Sequence, residues 1–216
     1  MNQIDQLLAV SNFTGEFVRE KWGRESTTLY PPCPVELYSD THLPREDLVV
    51  TVGRISPEKR MELFLDIARA LPRVKFVIVG SLSLDRKAYY EALRASAPDN
   101  LSIVVSPLRM AKETLGRAKV YVHCAQNEHF GITIVEAMAA GCVPVVHDSG
   151  GPREIVSPDT GLRWNSLNEA IEQISALIED DRSRRRFSTT AVSNAKRFGP
   201  EEFESGLRKL ILSILE

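Results

Sequence analysis

From about Asp47 onward, short runs of β-branched residues alternate with stretches whose apolar positions recur at helical spacing. That alternation predicts an α/β domain built on a parallel sheet. Leu48–Val52 forms the first buried strand and ends at Gly53. Pro57 then opens a helix, because a proline in the first turn lacks an N–H that would have no partner there. Met61, Leu63, Phe64, Leu65, Ile67, Ala68 and Leu71 carry that helix forward until Pro72 stops it. Further strands are predicted at Lys75–Val79, Leu101–Val105, Val120–Cys124 and Val143–Val146, with a short sixth at Gly161–Trp164. Helices at Asp85–Ala97 and Lys112–Ala118 separate them, and from about Ser166 the pattern is helical, with breaks near Asp180 and at Gly199-Pro200. The expected fold is therefore a doubly wound parallel sheet with a C-terminal helical segment.

The opening forty residues fit this scheme less well. Leu7–Val10 has the composition of a strand, and Gly15–Trp22 that of a helix capped by Thr14. Tyr30-Pro31-Pro32-Cys33-Pro34 is extended and stiff, since prolines fix φ and push their predecessors out of the helical region. It reads as a linker, so residues 1–40 are expected to belong to a different domain from 41–216. Leu7, Leu8, Val10, Phe13, Phe17 and Trp22 form an apolar set with few evident partners. Such a segment is expected to touch the core poorly and to promote self-association.

Composition changes this picture little. Of 216 residues, 43% are apolar and 26% charged, ordinary for a chain with a sizeable core. Twenty-seven basic against 29 acidic residues leave a formal charge of −2, unlike the strongly basic footprint of a nucleic-acid binder. No apolar run approaches the ~20 residues that span a bilayer. Cys33, Cys124 and Cys142 lack metal-ligand spacing, and three cysteines do not make a disulfide framework, so a cytoplasmic chain is expected.

Absences narrow the chemistry. The sequence holds no Gly-x-Gly dinucleotide fingerprint, no phosphate-binding loop ending in Gly-Lys-Ser/Thr, no Asp-x-Asp metal pair and no Gly-x-Ser-x-Gly elbow. A lone His123 inside an apolar strand is more often packing than ligation. Two groups of residues remain. Gly53-Arg54-Ile55-Ser56-Pro57-Glu58-Lys59 puts a guanidinium and an ammonium at the carboxyl edge of the sheet, a pair suited to a diphosphate. Glu128-His129-Phe130-Gly131-Ile132-Thr133-Ile134-Val135-Glu136 then leads into Ala137-Met138-Ala139-Ala140-Gly141, a helix apolar on every side apart from Glu136. A carboxylate buried there needs partners. The N–H groups of Phe130, Gly131 and Ile132 would point outward at the positive end of that helix, and Gly131 would let a ligand approach the backbone. In a doubly wound sheet the first and fourth strands are neighbours where the strand order reverses, and ligands bind beyond their carboxyl ends. Cations, amides and two acids thus converge on one crevice, suited to a nucleoside diphosphate carrying a polyhydroxylated group.

Val52-Gly53-Arg54 with Pro57-Glu58-Lys59, followed by the Glu128-x7-Glu136 spacing, resembles the donor half of retaining GT-B glycosyltransferases of family 4, over about residues 45–216. Asn127–Ile132 and Asp148-Ser149-Gly150-Gly151-Pro152 are most similar to α-1,2-mannosyltransferases of lipid-linked oligosaccharide assembly. The resemblance implies a Rossmann-like donor domain and a hexosyltransferase that uses a nucleotide-diphosphate sugar, with GDP-mannose favoured. It further implies that Arg54 and Lys59 bind the diphosphate, that Glu128 holds sugar hydroxyls and that Glu136 holds the ribose. The backbone from Ser106 to Leu108 would flank the base. No metal and no cofactor are implied. The acceptor would be a sugar or a lipid-linked sugar met at the cytoplasmic membrane face, and residues 1 to about 30 would match the last strand and helix of an acceptor domain. Two rival readings are a non-catalytic nucleotide-sugar-binding subunit completed by a separate acceptor-domain chain, and a sugar-nucleotide epimerase or phosphorylase on a related fold.

Overall fold

The computed structural model describes residues 6–39, 43–105 and 108–215. Its main sheet is built from β3 (Glu46–Arg54), β4 (Lys75–Ser81), β5 (Leu101–Val105), β6 (Ala118–His123), β7 (Val143–His147) and β8 (Leu162–Trp164). Together with β1 (Leu8–Ala9) and β2 (Thr27–Thr28), these strands are numbered in chain order. The six lie in the order β5-β4-β3-β6-β7-β8 and every pairing is parallel. The strand order reverses between β3 and β6, as the sequence pattern predicts for the first and fourth strands of the domain.

Parallel strands buried on both faces need cover on both, and the pleat assigns alternate residues to each layer. Val49, Val120 and Val122 face α3 (Met61–Ala70), α4 (Lys87–Ala95) and α8 (Leu167–Glu179). Val50 and Tyr121 face the opposite layer, formed by α5 (Leu108–Arg117), α6 (Ile132–Ala139) and α9 (Asp181–Ala195). The C-terminal helix α10 (Pro200–Leu215) follows and has no fully buried residue. Arg45 reinforces the second layer by donating hydrogen bonds to the carbonyls of Leu115 in the last turn of α5, Ala118 at the start of β6 and Ala140 at the end of α6.

Two boundaries differ from the sequence pattern. Pro57 does not open the long helix. It starts a 3-10 turn, Pro57–Lys59, and Arg60 follows with φ of 50°, so α3 begins only at Met61. Proline suits either kind of first turn, but a left-handed residue interrupts the helical hydrogen-bond series. The first helix, α1 (Asn12–Trp22), starts earlier than expected, because Ser11 and not Thr14 is its cap. The Ser11 hydroxyl accepts the Thr14 N–H at 3.0 Å.

The opening segment is tied to the domain more firmly than its composition suggests. β1 and β2 pair in parallel, and α2 (Val35–Ser39) packs Val35 and Tyr38 into the core beside α6. Tyr30 packs its ring against Phe130 and Phe198, with centroids 5.6 and 5.2 Å away. The expected poor contact holds only for the apolar face: Leu8, Phe17 and Trp22 remain exposed.

Candidate functional site

At the carboxyl ends of β3 and β6 lies a cleft of about 740 Å³ lined by Arg54, Lys59, Glu128, Phe130, Gly131, Ile132 and Glu136. Seven of the nine sequence-derived site residues are thereby brought together. Of the other two, Ser106 lies outside the described residues, and Leu108 opens α5. Val10 and Pro31 of the N-terminal segment also line the cleft.

Arg54 is the last residue of β3; its side chain is 72% exposed and lies 3.6 Å from Glu58. Gly53 beside it has open space where a Cβ would stand, which leaves the strand end accessible from the cleft. Its register partner Gly80 has no such room, since a Cβ there would fall 2.2 Å from the Gly53 carbonyl oxygen. The 3-10 turn carries Lys59 inward, where its ammonium pairs with the Glu128 carboxylate. Lys59 and Glu128 are thus paired with each other across the cleft, a link the sequence pattern does not reveal.

Glu128 also faces His123 at the end of β6, with Nε2 of the ring 3.5 Å from Oε2. The imidazole and the Lys59 ammonium hold the Glu128 carboxyl well below the usual carboxylate range, against the opposing effect of burial. Burial pushes the His123 ring down, so the histidine is neutral and the carboxylate charged. On its other side His123 Nδ1 lies 3.2 Å from the Tyr121 hydroxyl, which in turn lies 2.8 Å from the Thr133 hydroxyl. His123 is thus buried as a packing residue would be, and it also meets the Glu128 carboxylate behind the cleft wall. The available signal was its position: it ends the strand that feeds the Glu128 loop.

The Glu128 loop is shaped from behind by Gly150 and Gly151. Gly150 has φ of 64°, and a Cβ on it would meet the Glu128 carbonyl oxygen at 2.5 Å. A Cβ on Gly151 would lie 2.4 Å from the His129 carbonyl oxygen. The Gly151 N–H donates to the Glu128 carbonyl at 2.8 Å, and the Ser149 hydroxyl accepts the Asn127 N–H at 2.9 Å. Only glycine permits this approach of two backbones.

Gly131, with φ of 109°, caps α6 and turns the chain into the helix. The first N–H groups of such a helix have no intrahelical acceptor, and they sit at its positive end. The Phe130 ring itself is buried against Tyr30 and Phe198, whereas Ile132 is 42% exposed. Glu136 lies one turn into α6 and is buried. Burial pushes its carboxyl up, and the neighbouring Tyr38 hydroxyl partly offsets that. Tyr38 comes from a helix the sequence pattern does not announce.

Among the described residues, no three His, Cys, Asp or Glu side chains come together to hold a metal ion. No described helix is long and apolar enough to cross a membrane.

A crevice at the switch point of a doubly wound sheet, with two cations, a helix start and two acids, is where proteins of the α/β class bind their ligands. Residues 39–193 match the model of the family "Glycosyl transferases group 1", and the chain belongs to that family. It is similar to the GDP-Man:Man(3)GlcNAc(2)-PP-Dol alpha-1,2-mannosyltransferase of Homo sapiens, 29% identical over 93% of this chain and 46% of the relative. The enzyme of the same description from Candida glabrata is 30% identical over 83% of this chain and 39% of the relative. The chain spans about half the length of the human relative, 46%. Among solved structures, Anabaena Alr3699/HepE in complex with UDP and glucose superposes with a TM-score of 0.88 at 20% identity, covering 96% of this chain and 63% of that one. Sucrose-phosphate synthase from Thermosynechococcus elongatus gives 0.84 at 18% identity, covering 99% of this chain and 59% of that one. These two likenesses establish the GT-B type of fold.

Proposed function

We propose that this chain is the donor-binding part of a retaining hexosyltransferase that takes GDP-mannose. The single observation that carries the reading is the pairing of Lys59 with Glu128 inside the cleft that also holds Glu136. Arg54 and Lys59 would neutralise the diphosphate as it leaves, together with the amides at the start of α6, an electrostatic role of the kind that dominates such sites. Glu128 would accept hydrogen bonds from sugar hydroxyls and Glu136 from the ribose. The backbone at 106–108 would flank the base. The reaction would need no metal, since the leaving charge meets two cations already in place.

Residues 41–216 would form the donor domain, and residues 1–40 the end of the acceptor half and its linker. GDP-mannose is favoured because the relatives named above carry it in their descriptions. On the same ground the acceptor would be a lipid-linked oligosaccharide, met at the cytoplasmic face of a membrane.

Calorimetric titration with GDP, UDP, ADP and GDP-mannose tests the reading. The expected result is saturable binding that is strongest for the guanine nucleotides. Equal weak heats for all four would overturn it. Binding of GDP-mannose with no transfer, even when a mannosyltransferase acceptor domain is added, would favour a non-catalytic binding subunit.

A further inference from the structure

We infer that His123 is a positioning residue that takes over Glu128 when a diphosphate draws Lys59 away, so that donor binding carries a proton onto the His123 ring. The inference rests on the donor reading above and concerns a residue to which that reading gives no role.

The starting arrangement is incomplete. Glu128 is paired with Lys59, while His123 Nε2, fully enclosed, has no hydrogen-bond partner within normal reach. The Glu128 Oε2 atom faces that nitrogen at 3.5 Å. A buried polar atom left short of its partner by about half an ångström marks a site that tightens in another state. Facing a carboxylate, Nε2 is assigned the proton of the neutral ring, and Nδ1 then accepts from the Tyr121 hydroxyl.

One ammonium cannot serve two anions equally. A diphosphate in the cleft competes for Lys59, and Glu128 is left as a buried charge whose partner has turned away. The same diphosphate adds negative charge near His123. Both changes favour an imidazolium. One proton passes from solvent to Nδ1, and the Nε2–H remains directed at Glu128. Nδ1–H then donates to the Tyr121 oxygen, and the Tyr121 hydroxyl turns its proton to Thr133 Oγ1, 2.8 Å away, or to the Val52 carbonyl at 3.5 Å. Each atom on this route changes role without losing a partner, which makes the second state as well satisfied as the first. The charged and titratable groups that face the ring are Tyr121 on its own strand, Glu128 on the following loop, Lys59 on the turn after β3, and His147 on β7. His147 Nδ1 is held by Ser149 at 2.9 Å. In the free protein, burial and Lys59 together keep His123 neutral.

Two measurements decide the matter. The first needs no ligand. The four histidine rings are titrated by NMR in the parent, in Lys59→Met, and in His123→Gln for assignment. The His123 midpoint is expected to rise by about one unit or more in Lys59→Met, the usual effect of a carboxylate freed to face an imidazole. An unmoved midpoint overturns the inference.

The second is calorimetry with GDP-mannose, whose pyrophosphate diester does not titrate near neutrality, in two buffers of different ionisation enthalpy. The parent is expected to take up a substantial fraction of one proton at about pH 7, and His123→Gln none. Glutamine keeps a donor but cannot titrate, so its affinity should also lose the parent's pH dependence, a change that a merely structural role would not produce. Binding with buffer-independent heat overturns this inference and leaves the donor reading standing, as does uptake that persists in His123→Gln. Failure of GDP-mannose to bind in either buffer overturns the donor reading and the uptake with it.

Discussion

The Glu154 carboxylate sits over the first turn of α1 and accepts the backbone N–H groups of Asn12 and Phe13 at 3.0 and 2.9 Å. The Asn12 side chain and the Tyr30 hydroxyl donate to the same carboxylate at 2.9 and 3.0 Å. Glu154 lies in the short helix Pro152–Ile155 that follows Gly150 and Gly151, so one acid connects the N-terminal segment to the backbone that shapes the Glu128 loop. Ser11 completes the link by donating to the His129 carbonyl.

Replacing Glu154 by Ala should therefore loosen α1 while leaving the six-stranded core intact. An N-terminal cap with several charge-assisted bonds contributes about 1–2 kcal/mol. Hydrogen exchange should speed up at residues 12–22 and stay unchanged along β3 and β6. Unchanged protection of α1 would show that Glu154 does not anchor it.

Lys59→Ala should weaken binding of a nucleoside diphosphate by ~1.5–3 kcal/mol, the scale of a charge-assisted hydrogen bond. Arg54→Ala should fall at the lower end, because its side chain is 72% exposed against 20% for Lys59. A calorimetric affinity equal to the parent's in both variants would remove this loop from the site.

EDTA should leave the affinity for GDP-mannose unchanged. A tenfold loss restored by magnesium or manganese would contradict a diphosphate held by cationic side chains alone.

Glu136→Gln should raise the melting temperature at about pH 7 and weaken nucleotide binding about tenfold, the worth of one hydrogen bond to a charged acceptor. The sign follows from the raised carboxyl: the folded state binds its proton more tightly than the unfolded one, so stability falls as pH rises through the folded value. The thermal gain of the glutamine variant should shrink toward about pH 4. For Glu128, held low by His123 and Lys59, the sign reverses: its stabilisation is present above the ordinary value of 4.5 and is lost as the pH falls below it. Glu128→Gln should thus cost stability near neutrality and little in acid. Melting curves of both variants across that range would expose a wrong sign in either.

Gly150→Ala should destabilise the domain by about 2 kcal/mol or more, since it adds a left-handed penalty to a backbone clash. The added methyl would stand 2.5 Å from the Glu128 carbonyl oxygen, so nucleotide affinity should fall together with stability. An unchanged melting temperature would mean that the loop yields without cost.

What the sequence alone determined is local. Alternating β-branched runs and helical periodicity were enough for the six strands of the sheet, because strands buried on both faces must be apolar throughout. Order along the chain was enough to make β3 and β6 neighbours, and hence to bring Arg54, Lys59, Glu128 and Glu136 to one crevice. Those four stand at strand ends and a helix start, and a β-α repeat dictates where such positions go.

Tertiary structure decided the pairings, which depend on side chains distant in sequence. Nothing local in Glu154 shows that it caps a helix 142 positions earlier, and nothing in Tyr38 shows that it lies beside Glu136. Lys59 and Glu128 each look like free ligands for a substrate; only the turn at Arg60 and the loop held by Gly150 and Gly151 set them against each other. His123 resembles a packing residue until the fold brings the Glu128 carboxylate against its ring. Periodicity records how much of a residue is buried, whereas the partner it meets depends on where other parts of the chain cross.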